Sequence, residues 1–319
     1  MTHNPHEGNM TCQIATGQGQ DKELILRGRK LAYQVWKQDT EEADKRPIIF
    51  LHGWLDNAAS FSPLVNQFLG SDALSQNSFY ALDFAGQGKS TWRSSEDEYT
   101  LQTDCADLLS FFNSLNIHSA IIIGHSRGAM VAWLFAALYP ERTERCVFID
   151  GMLPPPVGSD AYLRSLRESL MLRAQSDHQN LHSKASRFKD VEDAIRARMR
   201  SQFPVDYACA KYLAERGLLK EDDKVYWSYD PRLKSAHPYR FYRDQIMTIN
   251  ACFKTEALLI WATKGVLAEQ SRGVVLDSKL SSICNELNIR TAKVAGSHHC
   301  HTGLSVQATA KAVIDFLRP

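Results

Sequence analysis

The chain has 319 residues, of which 44% are hydrophobic and 23% charged, and its formal net charge is +1. That composition is ordinary for a globular protein, and near-neutrality removes any global electrostatic case for nucleic acid or an acidic membrane surface as partner. At this length about 75% of the unfolded surface can be buried, so a large core is available within one α/β domain.

The first twenty residues, MTHNPHEGNMTCQIATGQGQ, are polar and lack the apolar centre of a signal peptide. They read as a flexible tail over 1–20. No stretch approaches the roughly 20 apolar residues that span a bilayer. The seven cysteines, at 12, 105, 146, 209, 252, 284 and 300, are odd in number and form no Cys-x-x-Cys. Without a secretion signal, reduced thiols and a cytoplasmic location are expected.

Residues 23–36 read as two strands joined by a tight glycine turn, and a charged loop follows. PIIFL (47–51), FYALDF (79–84), AIIIGHS (120–126) and CVFIDG (146–151) are short apolar runs closed by turn residues. Such runs suit strands buried on both faces of a parallel sheet. Between them, 100–115 carries apolar residues at helical spacing, and 128–139 reads as a second helix. Strand and helix therefore alternate, which predicts right-handed βαβ units. The alternation returns late: a strand at 257–263, a helix at 272–288, a strand ending at 296 and a helix at 305–317.

Between 152 and 250 the rhythm breaks. This segment opens with Pro-Pro-Pro and reads as helices without strands, with Lys and Arg in excess over Asp and Glu. A solvated outer face accounts for that charge; an anionic substrate is the alternative. An insertion at this place predicts a helical cap over 152–250, covering the strand C-termini where open α/β sheets bind ligands. The core is then 21–151 together with 251–319.

Gly124-His-Ser126-Arg-Gly128 lies between an apolar run and a helix, the setting of a nucleophile elbow. A tight turn there lifts the Ser126 hydroxyl above the sheet at a helix N-terminus, which favours developing negative charge. Side chains at 124 or 128 would collide with backbone. Acyl transfer also needs N–H donors for the oxyanion. The backbone of Arg127 is one candidate, and Trp54, after the strand ending His52-Gly53, is the other.

The strings LHGWLDNAASF (51–61), DFAGQGKS (83–90), GHSRG (124–128) and GSHHCH (296–301) stand in the order of the α/β-hydrolase superfamily. The first closely resembles the serine hydrolase-like protein family. The resemblance covers 25–150 and 255–318 and is weak over the insertion. It implies an α/β-hydrolase fold, a mostly parallel sheet flanked by helices, with a helical cap after the sixth strand. It also implies a catalytic histidine after the last strand, which points to His298 with His299 as the fallback. His52 and His125 are expected to shape the site.

The acid is displaced from its usual place. The superfamily most often carries it soon after the strand at 257–263, where this chain has Gly265, and the next carboxylate is Glu269. Some members, the resembling family among them, carry an aspartate at the end of the preceding strand, here Asp150. The expected triad is therefore Ser126, Asp150 and His298, with Glu269 as the alternative acid. Asp83 is expected to hold the loop 84–90, and Asp56 and Asn57 to lie near the entrance.

These readings predict a serine hydrolase of carboxylic esters or related acyl compounds, acting through an acyl-enzyme. Its substrate would be a small acyl molecule with an apolar part. No cofactor, metal, nucleic acid or membrane is implied. Thioesterase, lactonase and carbon–carbon bond hydrolase chemistry could use the same residues, and a non-catalytic binding protein on the scaffold is a further reading. Epoxide hydrolase and dehalogenase relatives place an aspartate at the position of Ser126. Trp227, Tyr229, Tyr239, Phe241 and Tyr242 are expected to shape an apolar pocket or the core of the cap.

Overall fold

The computed structural model describes residues 19–26, 28–36, 46–175, 187–234, 240–269 and 274–318. Eight strands form the main sheet. In chain order they are β1 (Gln20–Leu26), β2 (Arg29–Trp36), β3 (Ile48–Leu51), β4 (Phe79–Leu82), β5 (Ala120–His125), β6 (Thr143–Ile149), β10 (Glu256–Lys264) and β13 (Arg290–Ser297). Their spatial order is β1-β2-β4-β3-β5-β6-β10-β13. Within this sheet only β2 runs against its neighbours, pairing antiparallel with β1 and β4; the other pairings are parallel. β1 starts at Gln20, just inside the segment expected to be a tail; residues 1–18 lie outside the described residues.

The apolar runs become β3, β5, β6 and β10 because both faces of the sheet are covered. Ile49, Leu51, Ile122 and Phe148 point into one core with α2 (Leu101–Ser114), α3 (Arg127–Leu138), α7 (Arg243–Cys252) and α8 (Ser278–Glu286). Ile48, Phe50, Ile121, Ile123 and Val147 point into the other, against α1 (Ser62–Leu69) and α9 (Val306–Leu317). A strand whose alternate side chains are all buried cannot show polar alternation. α2 starts where Thr100 and Thr103 form a reciprocal capping box.

The chain leaves β3 for β4 on one side, then crosses to β5 on the other. That reversal is a topological switch point, where a crevice opens beyond the strand C-termini. The loop 52–57 leaves β3 there and Ser126 leaves β5 beside it.

The expectation of helices alone over 152–250 does not hold. The segment carries α4 (Ser159–Gln175), α5 (Val191–Met199) and α6 (Tyr207–Gly217). It also holds a three-stranded antiparallel sheet of β7 (Arg187–Phe188), β9 (Lys224–Trp227) and β8 (Leu218–Glu221). β8 and β9 form a hairpin about Asp222-Asp223, and Asp222 takes a φ of 53°. Aspartate tolerates that left-handed turn geometry. A second difference concerns the late helix expected from 272. It begins at Ser278, capped by Asp277, after a short ribbon of β11 (Ala268–Glu269) and β12 (Val275–Leu276). Arg272 lies outside the described residues.

Buried polar groups fasten the insertion to the sheet. Asp83 accepts from the N–H of Ala58 (2.8 Å) and of Lys89 (2.7 Å), and Arg216 of α6 donates to both its oxygens. It thus holds the loop 84–90, as expected, and docks α6. Trp92 Nε1 donates to Ser228 O, and the Tyr99 hydroxyl donates to the buried Asp230 carboxylate.

Behind the elbow, Arg127 turns away from the crevice to Asp104 of α2 (2.6 Å). Arg93 joins Asp104 to Asp107, and Arg29 closes the chain on Asp107. Asp104 is buried between two guanidinium groups. Asp104→Asn is therefore expected to lower stability by about 3–5 kcal/mol, the cost of breaking a buried pair. Urea unfolding of the variant checks this; a loss below about 1 kcal/mol would show the pair to be solvent-screened.

Candidate active site

Ser126 sits at φ 52°, ψ −114°, off the allowed regions for an ordinary residue. Such strain, of order 1–3 kcal/mol, persists only where the surroundings enforce it. Here the Ser126 N–H extends the sheet ladder to Ile149 O (3.0 Å), and its carbonyl accepts from Ala129 and Met130 at the start of α3. A Cβ on Gly124 would lie 2.5 Å from backbone atoms of Gly128 and Ala129, and one on Gly128 would run into the Leu51 carbonyl. Both glycines of the pentapeptide are thus required by close approach.

Asp150 follows β6 with a φ of 43°, and its N–H continues the ladder to Ile260 O (2.7 Å). Its carboxylate is fully buried. Oδ1 accepts from Ala262 N (3.0 Å), and Oδ2 from Val266 N (2.8 Å) and from His298 Nδ1 (2.7 Å). A Cβ on Gly265 would collide with this carboxylate. The glycine at the usual acid position is therefore the space that the Asp150 carboxylate fills, approached from the neighbouring strand. Glu269 lies further along, in β11.

His298 follows β13. Its ring packs between Phe203 (centroids 4.8 Å apart) and His125 (4.6 Å), and its carbonyl is close to His125 Nε2 (3.1 Å). His299 meets a different carboxylate: its Nε2 lies 3.0 Å from Asp56 Oδ2. The structure thus brings His298, rather than His299, to Asp150.

His52 is occupied structurally. Its Nε2 accepts from Phe84 N (3.0 Å), so Nδ1 carries the proton and donates to Gly53 O (2.7 Å). This fixes the turn that carries Trp54. The N–H of Leu55 is taken by Gln87 Oε1 (2.7 Å), which leaves Trp54 as the donor candidate in this loop. Arg127, the other candidate, opens α3, where first-turn N–H groups have no helical partner.

Residues of the insertion complete the site, and Arg198 among them was not anticipated. Arg198 of α5 donates to Asp56 Oδ1 (2.7 Å), Phe203 O (2.6 Å) and Ser201 Oγ (2.7 Å), and lies 3.2 Å from His299 Nε2. One guanidinium thus joins the loop after β3, the loop after β13 and the insertion. Nothing in periodicity or spacing separates Arg198 from the other cations of this segment.

A cavity of about 240 Å³ joins these groups, and Ser126, Trp54, His298, His299, Asp56 and Arg198 all line it. Its walls are aromatic: Trp54, Phe188, Phe203, Trp227 and Tyr229. Of the expected pocket aromatics, Trp227 and Tyr229 line the cavity. Phe241 instead packs on Trp133 and Tyr242 on Tyr162, while Tyr239 lies outside the described residues.

One ligand atom each of Asp56, His125 and His299 lies within 4.8 Å of the others, a spacing a metal ion could use. Arg198 already supplies a cation to Asp56, so a metal would have to bind against a guanidinium. Burial opposes ionisation of Asp56, but the hydrogen bond with His299 and the charge of Arg198 more than offset it and hold the carboxyl well below its ordinary range.

Burial pushes the pKa of His52, His125, His299 and His301 below the ordinary imidazole value. They stay neutral in the fold, while the unfolded chain takes up protons near pH 6.5. Below that value the unfolded state binds more protons, so stability falls with pH, by up to ~1.4 kcal/mol per unit for each histidine. Urea midpoints are expected to be level above pH 7 and to drop between pH 6.5 and 5. A midpoint unchanged at pH 5 would contradict neutral burial. Cys300, beside the histidines, is buried with its thiol pushed up to about 12, so it is a poor nucleophile.

The model of the α/β-hydrolase fold matches residues 46–286, and the chain belongs to that family. Among its relatives, the serine hydrolase-like protein of Danio rerio is 28% identical over 91% of this chain and 86% of its own length. Serine hydrolase-like protein 2 of Homo sapiens is 24% identical over 85% and 87%. A hypothetical protein from Pseudomonas aeruginosa PAO1, of solved structure, is 30% identical with a TM-score of 0.78, covering 93% of this chain and 97% of that one. The thioesterase domain from the curacin biosynthetic pathway shares the fold at 18% identity, with a TM-score of 0.75 over 93% and 100%. Among the described residues, no helix is long and apolar enough to cross a membrane.

Proposed function

We propose that the protein is a serine hydrolase of small carboxylic esters or related acyl compounds, working through an acyl-enzyme on Ser126. The observation that carries this reading is the 2.7 Å contact of His298 Nδ1 with Asp150 Oδ2, at a cavity that Ser126 and His298 share. With Nδ1 engaged by the carboxylate, Nε2 of His298 is left to accept the Ser126 proton. Ser126 Oγ then attacks the carbonyl carbon. The developing oxyanion is held by the N–H groups of Trp54 and Arg127 at the positive end of α3. His298 returns the proton to the leaving alcohol. It next takes one from water, whose attack on the acyl-enzyme frees the acid and restores Ser126.

Asp150 supplies the acid that Gly265 cannot, which favours turnover over a purely binding role. The cavity is smaller than the roughly 300–1,000 Å³ typical of drug-sized ligands, which favours a short acyl group. Thioester and lactone carbonyls would meet the same groups. No cofactor takes part in these steps.

The test is to treat the full chain with a fluorophosphonate probe, map the labelled peptide and assay short p-nitrophenyl esters. Covalent mass on the peptide holding Ser126, together with ester turnover, is the expected result. A protein neither labelled nor active would remove this reading.

A further inference from the structure

Among the charged side chains that line the cavity, one cation is in excess. Asp56 is matched by Arg198 at 2.7 Å, and Asp150, which engages His298 and two backbone N–H groups, is not part of the lining. Lys234 remains. It lines the cavity, and its ammonium donates to the Tyr229 hydroxyl (2.6 Å) and lies 4.7 Å from the centre of that ring. Among the described residues no carboxylate pairs with it.

The side chain of Lys234 is exposed, but its backbone is anchored. Leu233, the residue before it, is buried against Tyr99 and Ala85, and its carbonyl accepts from Trp54 Nε1 (3.0 Å). Arg232, one residue earlier, is tied to the buried Asp230 and to the carbonyls of Arg93 and Ser94. The turn bearing Lys234 is therefore fixed to the same loop that offers the Trp54 N–H. Tyr229, accepting from Lys234, keeps its own proton to donate. An exposed ammonium on an anchored backbone, resting on a phenol O–H beside an aromatic cavity, matches a carboxylate at one end of a flat or apolar substrate.

We infer that the substrate is an ester or related acyl compound that also carries a carboxylate, and that Lys234 and Tyr229 bind that carboxylate at the cavity mouth. This inference rests on the hydrolase reading of Ser126.

The test compares 4-nitrophenyl hydrogen glutarate, which is anionic, with 4-nitrophenyl pentanoate, which is neutral and of similar length. Wild type is expected to prefer the anionic ester by kcat/KM. Lys234→Gln is expected to lower the anionic-to-neutral ratio about fivefold to tenfold, as loss of a charge-assisted bond at a partly screened site would. Lys234→Arg should restore most of it, and the preference should weaken in 0.5 M salt, at which exposed charges are screened over only a few ångströms. A ratio unchanged in Lys234→Gln would overturn the inference while leaving the hydrolase reading intact. Should wild type hydrolyse neither ester, the hydrolase reading fails by itself. Calorimetry with 3-phenylpropionate and 3-phenylpropanamide then decides the carboxylate subsite: preference for the acid, lost in Lys234→Gln, supports it, and equal binding overturns it.

Discussion

Ser126→Ala is expected to lower kcat on a short p-nitrophenyl ester by about 10⁶-fold, the scale found when a triad serine is removed. The loss is so large because the elbow spends strain on one atom. The backbone at φ 52° exists to hold Oγ above the sheet, and alanine keeps the strain without the nucleophile. Oxyanion donors and cavity would remain, so a residual rate about 10³–10⁴ above water is expected. Fluorophosphonate labelling should vanish. Folding should be nearly unchanged, since the Ser126 backbone bonds to Ile149, Ala129 and Met130 do not involve the hydroxyl. Persistent labelling in this variant would place the nucleophile elsewhere.

Asp150→Asn is expected to lower kcat by about 10⁴-fold, the scale of a triad aspartate-to-asparagine change. The surroundings of Asp150 explain the loss. Its three side-chain partners, Ala262 N–H, Val266 N–H and His298 Nδ1, all present donors when His298 is in the productive tautomer. An asparagine carries one oxygen and one amide group. If the amide takes the place of Oδ2, both His298 and the Val266 N–H face its hydrogens: the imidazole moves its proton to Nε2 and can no longer accept from Ser126, and a buried N–H is unsatisfied. If the amide takes the place of Oδ1, only the Ala262 N–H is unsatisfied, at a cost of about 1–3 kcal/mol. Steady-state kinetics beside urea unfolding separates the two effects. Full activity in Asp150→Asn would shift the acid to another carboxylate, with Glu269→Gln as the next variant to measure.

The two variants probe features of unequal visibility. The elbow was legible because its constraints are local: a tight strand-to-helix turn needs Gly124 and Gly128 within five residues of sequence. The buried strands were legible because both faces of the sheet are covered, so apolar runs stand unbroken. The hairpin of β8 and β9 was not. It is short, lies among helices and carries Asp-Asp rather than glycine at its turn, so helical context outweighed a weak strand pattern. Arg198 was not legible either, since its role depends on three segments meeting.

By itself the sequence determined the alternation of main-sheet strands and helices, the elbow, the histidine cluster and the vacancy at Gly265, because short-range sterics and periodic burial write these into neighbouring residues. Tertiary structure decided which carboxylate meets which histidine. Asp150 and His298 are 148 residues apart, and their 2.7 Å contact depends on β6 and β13 lying on either side of β10. It also decided that a guanidinium from the insertion joins Asp56 to the vicinity of His299, and that Lys234 lines the same cavity with no carboxylate paired to it among the described residues. Such pairings follow from the packing of distant elements, and no local pattern carries them.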